Sequence, residues 1–142
     1  MPLINFGSIL NFAEELETRD KDFYAAAGRN LNCAEHRDLF EQFARDAKKN
    51  IQTVQRTRRE NVSEMILEQI RDFTRAPFCE TWEGADTMSA QQALETGRRL
   101  EESAERYYRE AAEKLKALSE VSRALKILGK KRTVHLKKLV EI

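Results

Sequence analysis

The stretch Leu100–Leu115, "LEESAERYYREAAEKL", decides the fold because an earlier part of the chain repeats its pattern. In residues 16–30, "LETRDKDFYAAAGRN", a glutamate is again followed seven residues later by a tyrosine and then by small residues. Each stretch belongs to a series that alternates steps of three and four, which places its members on one face of a helix. The two series, 84 residues apart, are Leu10, Ala13, Glu17, Asp20, Tyr24, Ala27, Leu31 and Leu94, Gly97, Glu101, Ala104, Tyr108, Ala111, Leu115.

A second pair of series follows the first pair along the chain, with an offset of 85 residues. Its members also alternate steps of three and four, so the chain contains one helical hairpin used twice. Four such faces predict an all-α four-helix bundle, with a long crossover joining the two hairpins. The second pair is Phe40, Phe43, Ala47, Asn50, Val54 and Leu125, Leu128, Arg132, His135, Leu139.

Helix boundaries follow from capping patterns. Ser8 is the expected cap of the first helix, Asn32 with Glu35 that of the second, and Ser89 with Gln92 that of the third. We therefore expect one domain over residues 1–142, with helices at about 8–31, 32–59, 90–118 and 120–141. The crossover spans about residues 60–89 and begins with a helical fragment at residues 63–73.

Composition narrows the class of protein. Lys and Arg number 25 and Asp and Glu 24, a net charge of +1, which argues against a general nucleic-acid binder. No apolar run reaches the length of a membrane span, and the N-terminus lacks the pattern of a signal peptide. Cys33 and Cys79 form no metal-binding motif, and reduced thiols are favoured over a disulfide between them. We expect a cytoplasmic protein that binds neither nucleic acid nor membrane.

The stretches at residues 16–30 and 100–115 resemble the ferritin-like superfamily, most closely its rubrerythrin-type domains. The resemblance covers nearly the whole chain outside the crossover and implies a di-iron site with two Glu and two Glu-x-x-His ligand motifs. Three ligands carry over, namely Glu17, Glu101 and His135. The implied motif of the second helix falls on Ala47 and Asn50, and in the fourth helix the glutamate is replaced by Arg132.

These departures predict a degenerate di-iron site, because two carboxylates and one imidazole are too few for two divalent ions. We expect Arg132 to occupy the place of the metals, since a guanidinium bonds two carboxylates and stays charged when buried. Arg132→Ala should then cost about 3–5 kcal/mol. The expected buried polar network is Glu17, Glu101, Arg132, His135, Asn50, Tyr24 and Tyr108.

Two other interpretations remain open from the sequence. In one, Arg132 extends to solvent and the two glutamates are hydrated. In the other, Arg132 turns away and one Fe, Mn or Zn ion binds Glu17, Glu101 and His135, with Asp20 or water as the fourth ligand. That second interpretation predicts a metal-dependent oxidoreductase or an iron-handling protein.

The favoured prediction is a bundle without catalytic residues or cofactor that acts through structure or protein interaction. By analogy with ferritin-like bundles, a homodimer is the expected oligomer. The surplus apolar residues Ile4, Phe6, Ile9 and Phe12 are the expected dimer contact. The lysines of the basic stretch at residues 129–138, "GKKRTVHLKK", are expected to face water.

Overall fold

A computed structural model describes residue 3, residues 5–61, residue 70 and residues 72–142. Its four long helices are α1 (Phe6–Arg29), α2 (Arg37–Glu60), α3 (Ala90–Lys114) and α4 (Ser119–Val140). Short 3-10 helices lie at Leu31–His36 and Ala76–Phe78, and the described residues contain no β-strand. The predicted all-α fold is thus confirmed. Within the same ranges, every helix is too short or too polar to cross a membrane.

The four helices form a bundle-like arrangement of two hairpins. α1 lies along α2 and α3 along α4, with further contacts between α1 and α3 and between α2 and α4. Two apolar clusters fill the interior, one around Leu10, Tyr107 and Leu125 and the other around Phe40 and Leu139. In each helix the predicted polar positions lie between the residues of the first cluster and those of the second. The polar side chains therefore share one level in the middle of the bundle.

Nearly all members of the predicted faces are buried, which explains why these segments fold against one another. The one exposed member is Leu31, which is 90% exposed because α1 ends at Arg29, before the series does. Leu94 is half-buried. Phe6, Ile9 and Phe12, expected at a dimer contact, are instead buried in the core of the chain itself. That expectation was wrong for these three residues, and Ile4 lies outside the described residues.

Two of the three predicted helix caps were wrong. Asn5, not Ser8, caps α1, and the Ser8 hydroxyl completes the capping box from the third helical position. α2 begins at Arg37, not near Asn32, because a 3-10 turn intervenes. Asn32 there donates to the carbonyls of Thr87 and Met88 instead of capping a helix. The capping box of α3, Ser89 with Gln92, is confirmed.

The crossover is held against the bundle by aromatic side chains and arginines. Phe78 is buried, and Trp82 packs edge-on against Phe23 of α1. Arginines of α1 and α3 donate to its backbone carbonyls. The fragment expected at residues 63–73 falls mostly outside the described residues. Of its described members, Asp72 has a φ of 58°, which an α-helix does not allow.

Candidate functional site

The polar level of the bundle brings together ionic side chains from α1, α3 and α4 and an amide from α2. Each is at most 4% exposed, although ionised groups are costly to bury unless they are paired. They come together because each occupies the same level of its own helical face. The members are Glu17, Asp20, Asn50, Glu101, Arg132 and His135.

Arg132 lies at the centre of this set, with its side chain 1% exposed. Its Nη1 donates to Glu101 Oε2 at 2.7 Å and its Nε donates to Glu17 Oε2 at 3.3 Å. Its Nη2 lies 2.9 Å from Glu17 Oε1 and 2.8 Å from Asp20 Oδ2. Those two Nη2 contacts are ion pairs by distance but lack hydrogen-bond angles. One guanidinium of α4 therefore contacts three carboxylates from two other helices.

The two tyrosines exchange hydrogen bonds between the hairpins. Tyr24 of α1 donates to Glu101 Oε2 on α3 at 2.6 Å, and Tyr108 of α3 donates to Glu17 Oε2 on α1. Burial first, and the neighbouring carboxylates next, raise the pKa of both tyrosines well above the ordinary value. Both hydroxyls therefore keep their protons and act as donors.

The contacts that α2 and α4 make with the two glutamates, by contrast, lie within each hairpin. Asn50 Nδ2 donates to Glu17 Oε1 at 3.2 Å, and His135 Nδ1 lies 3.1 Å from Glu101 Oε1. The other ring nitrogen of His135 lies 2.9 Å from Asp46 Oδ2, and the ring stacks on Phe43 at 3.8 Å. Both ring nitrogens of His135 therefore lie within hydrogen-bonding distance of a carboxylate, one on α3 and one on α2.

Asp46 was not predicted from the sequence. It lies one helical turn before Asn50 on α2, and Gln42, a further turn back, donates to its Oδ1 at 2.7 Å. Burial alone would raise the pKa of Asp46, but the bonds from His135 and Gln42 outweigh burial and lower it. The signal for this residue was its i, i+4 spacing from both Gln42 and Asn50, at the edge of the apolar face.

The three buried carboxylates have unequal surroundings. Burial alone would raise the pKa of Glu101, but Arg132 and His135 outweigh it, and the pKa is lowered. At Asp20 burial dominates over Arg132 and Arg19 and raises the pKa to about 6. The carboxylates also act back on Arg132: they outweigh its desolvation and raise its pKa well above the ordinary value. The guanidinium is thus a permanent cation, whereas the raised pKa of Asp20 lets that carboxyl keep its proton to a higher pH than Glu101, whose pKa is lowered.

Asp20 also links the network to the crossover, a role that the sequence did not suggest. Arg19 Nε donates to Asp20 Oδ1 at 2.7 Å, and Arg19 Nη1 donates to the Phe78 carbonyl at 2.8 Å. The chain of contacts therefore runs from Arg132 through Asp20 and Arg19 to the loop that covers the bundle.

The donor set does not fit the di-iron centre that the resemblance implies. Ala47 offers no ligand atom, and Asn50 presents an amide N–H to Glu17, not an imidazole to a metal. The Arg132 guanidinium lies among the same carboxylates that metals would need, with an opposing charge. Over the described ranges, no group of three or more His, Cys, Asp or Glu side chains is placed to hold an ion. The set Glu17, Glu101, His135 and Asp20, considered for one ion, instead contacts Arg132 or its neighbours.

Comparison with known proteins gives no relative. No protein-family model, no curated protein and no solved structure matches the chain. The geometry of the network is therefore the basis on which its function is inferred.

Proposed function

We propose that this chain is a ferritin-like bundle of the rubrerythrin type in which Arg132 replaces the metal pair, and that it works as a structural or protein-interaction module without redox chemistry. The observation that carries the proposal is the guanidinium of Arg132 in contact with Glu17, Asp20 and Glu101. The pseudo-symmetric exchange of tyrosine bonds between the hairpins supports a common origin for the two halves.

The charges of the network favour a structural role over a catalytic one. A general acid or base needs an open route to a substrate, whereas Glu17 and Glu101 are 0% exposed. Their oxygens already accept bonds from Arg132, Tyr24, Tyr108 and Asn50. A buried network of hydrogen bonds and ion pairs that joins all four helices holds them in one register.

Elemental analysis of the purified protein tests the proposal. The chain is expressed in medium supplemented with iron, manganese and zinc, and is purified without chelators. We expect far less than one metal ion per chain and a melting temperature that EDTA leaves unchanged. About two Fe or Mn ions per chain would overturn the proposal, and one ion bound by Glu17, Glu101, His135 and Asp20 would support the alternative oxidoreductase or iron-handling function.

A gain-of-metal variant shows that the assay can detect binding. The triple substitution Ala47→Glu, Asn50→His and Arg132→Glu restores every ligand that the resemblance implies. We expect this variant to retain iron or manganese under conditions in which the natural chain does not. If both proteins retain metal equally, Arg132 is not the feature that excludes it.

Two finer proposals accompany this function. The unpaired Cys33 and Cys79 agree with a reducing compartment, so the cytoplasm is the proposed location. A homodimer is proposed by analogy with ferritin-like bundles. Sedimentation equilibrium at micromolar concentration distinguishes a dimer from a monomer.

A further inference from the structure

The outer side of α4 carries only positive charges, although the chain as a whole is almost neutral. Between residues 121 and 140 there is no aspartate or glutamate, and six cations are exposed there. We call this surface the basic face. Its cations are Arg123, Lys126, Lys130, Lys131, Lys137 and Lys138.

The cations of the basic face have no partner within the described part of the chain. None of the six forms an ion pair or a side-chain hydrogen bond there. On the neighbouring α3, by contrast, Arg99, Arg106 and Arg109 each pair with a glutamate. A row of unpaired lysines repels itself, so an external anion would relieve the repulsion.

Two exposed aliphatic residues run along the middle of the basic face. Ile127 is 46% exposed and Val134 is 52% exposed. They are seven residues apart, two turns along one line of the helix, with lysines on both sides. This is the pattern that a partner helix with an apolar stripe and acidic flanks would complement.

A pocket of about 290 Å³ between α2 and α4 borders this line. Three lysines and Val134 line it, with Asp46, Asn50 and His135 as the remaining walls. The Asp46 carboxylate, bonded to His135 and Gln42, also faces Lys49 and offsets part of its charge, but Lys131 and Lys138 have no ion pair within the described residues. The pocket is therefore suited to a carboxylate side chain. Its lysines are Lys49, Lys131 and Lys138.

We infer that the basic face binds an acidic amphipathic helix of a partner protein, with apolar side chains on Ile127 and Val134 and a carboxylate in the α2–α4 pocket. Nucleic acid fits less well, because a phosphate backbone binds the lysines but makes no apolar contact with Ile127 and Val134. An anionic membrane fits less well, since two β-branched residues without aromatic neighbours insert little apolar surface. The inference rests on the interaction role proposed above and names the class of partner.

Binding to a synthetic helix tests the inference on the full chain. The probe is a labelled peptide of about 21 residues, with Leu at the a and d positions and Glu at e and g. We expect saturable binding that weakens at least tenfold between about 50 and 300 mM salt. Lys131→Glu with Lys138→Glu should weaken binding at least tenfold. Ile127→Ser with Val134→Ser should weaken it severalfold, because both charge and apolar contact contribute.

A matched control separates the basic face from charge in general. Arg37→Glu with Lys48→Glu changes the net charge equally at exposed positions of α2 outside the pocket, and should leave the affinity within about twofold. Equal weakening by the control and the α4 pair would overturn the inference. So would tighter binding of a duplex of about 20 base pairs, or of vesicles with about 30% phosphatidylserine, than of the peptide. If the natural chain shows no saturable binding of the peptide, the inference fails. If the same protein also contains no metal, the proposed replacement of the metals by Arg132 still stands.

Discussion

Replacing Arg132 by methionine should destabilise the fold far more than a typical core substitution. Methionine keeps an apolar stem of similar length, so the change removes the positive charge and leaves little cavity. Three carboxylates would then lie in the interior without their shared cation. Breaking a buried ion pair from one side costs about 3–5 kcal/mol. Two well-directed charged hydrogen bonds, each about 1.5–3 kcal/mol, give a similar total.

Urea unfolding followed by circular dichroism at 222 nm measures this cost, since four helices dominate the signal. The informative control adds Glu17→Gln and Glu101→Gln to Arg132→Met. Removing the stranded charges should recover at least half of the lost free energy, because the penalty lies in the unpaired carboxylates. A cost below about 1 kcal/mol, or no recovery in the triple variant, would refute the reasoning.

Two further predictions concern protons and hydroxyls in the same network. Burial raises the pKa of Asp20 to about 6 in the folded chain, against an ordinary value of 3.8, although the carboxyl faces Arg132 and Arg19 as well as Glu101. Because the folded state binds this proton more tightly, Asp20 lowers the unfolding free energy as pH rises from about 4 to 6, by about 3 kcal/mol in total. Asp20→Asn should remove that slope, and parallel curves for the two proteins would contradict the assignment. Tyr24→Phe and Tyr108→Phe should each cost about 1–3 kcal/mol, because each removes a hydrogen bond from a buried carboxylate. Urea unfolding measures these costs, and Tyr107→Phe, which loses only a hydrogen bond to the neutral Ile9 carbonyl, is the control. It should cost less than either of the other two substitutions. A larger cost would contradict the claim that hydrogen bonds to the buried carboxylates contribute more.

The four-helix bundle could be predicted because its signal is repeated. Steps of three and four in four separate segments, with offsets of 84 and 85 residues, leave few arrangements that bury every face. The same register indicated which polar residues share a level, since Glu17, Asn50, Glu101, Arg132 and His135 hold matching positions in their series. In the structure Arg132 bonds to both Glu17 and Glu101. Asn50 bonds to Glu17, and His135 lies against Glu101.

Details that depend on distant parts of the chain could not be predicted. Asn30 and Asn32 bond to carbonyls of the crossover, at Ala85, Thr87 and Met88, and these contacts decide where the turn after α1 gives way to α2. No local capping pattern encodes them. Asp46 was not predicted for a related reason. It lies beside the apolar face, and only its contact with His135 shows that it belongs to the network.

The state of the Arg132 guanidinium itself is the most direct test of this account. Nitrogen-15 NMR of the side-chain Nε and Nη groups of the natural chain reports on hydrogen bonding and on rotation of each arginine. With Arg132 fixed by Glu17, Asp20 and Glu101, its Nη1 and Nη2 protons should give separate signals that exchange slowly with water. The exposed Arg123 on the same helix serves as the internal reference. Averaged, rapidly exchanging Arg132 signals like those of Arg123 would contradict a guanidinium held among three carboxylates.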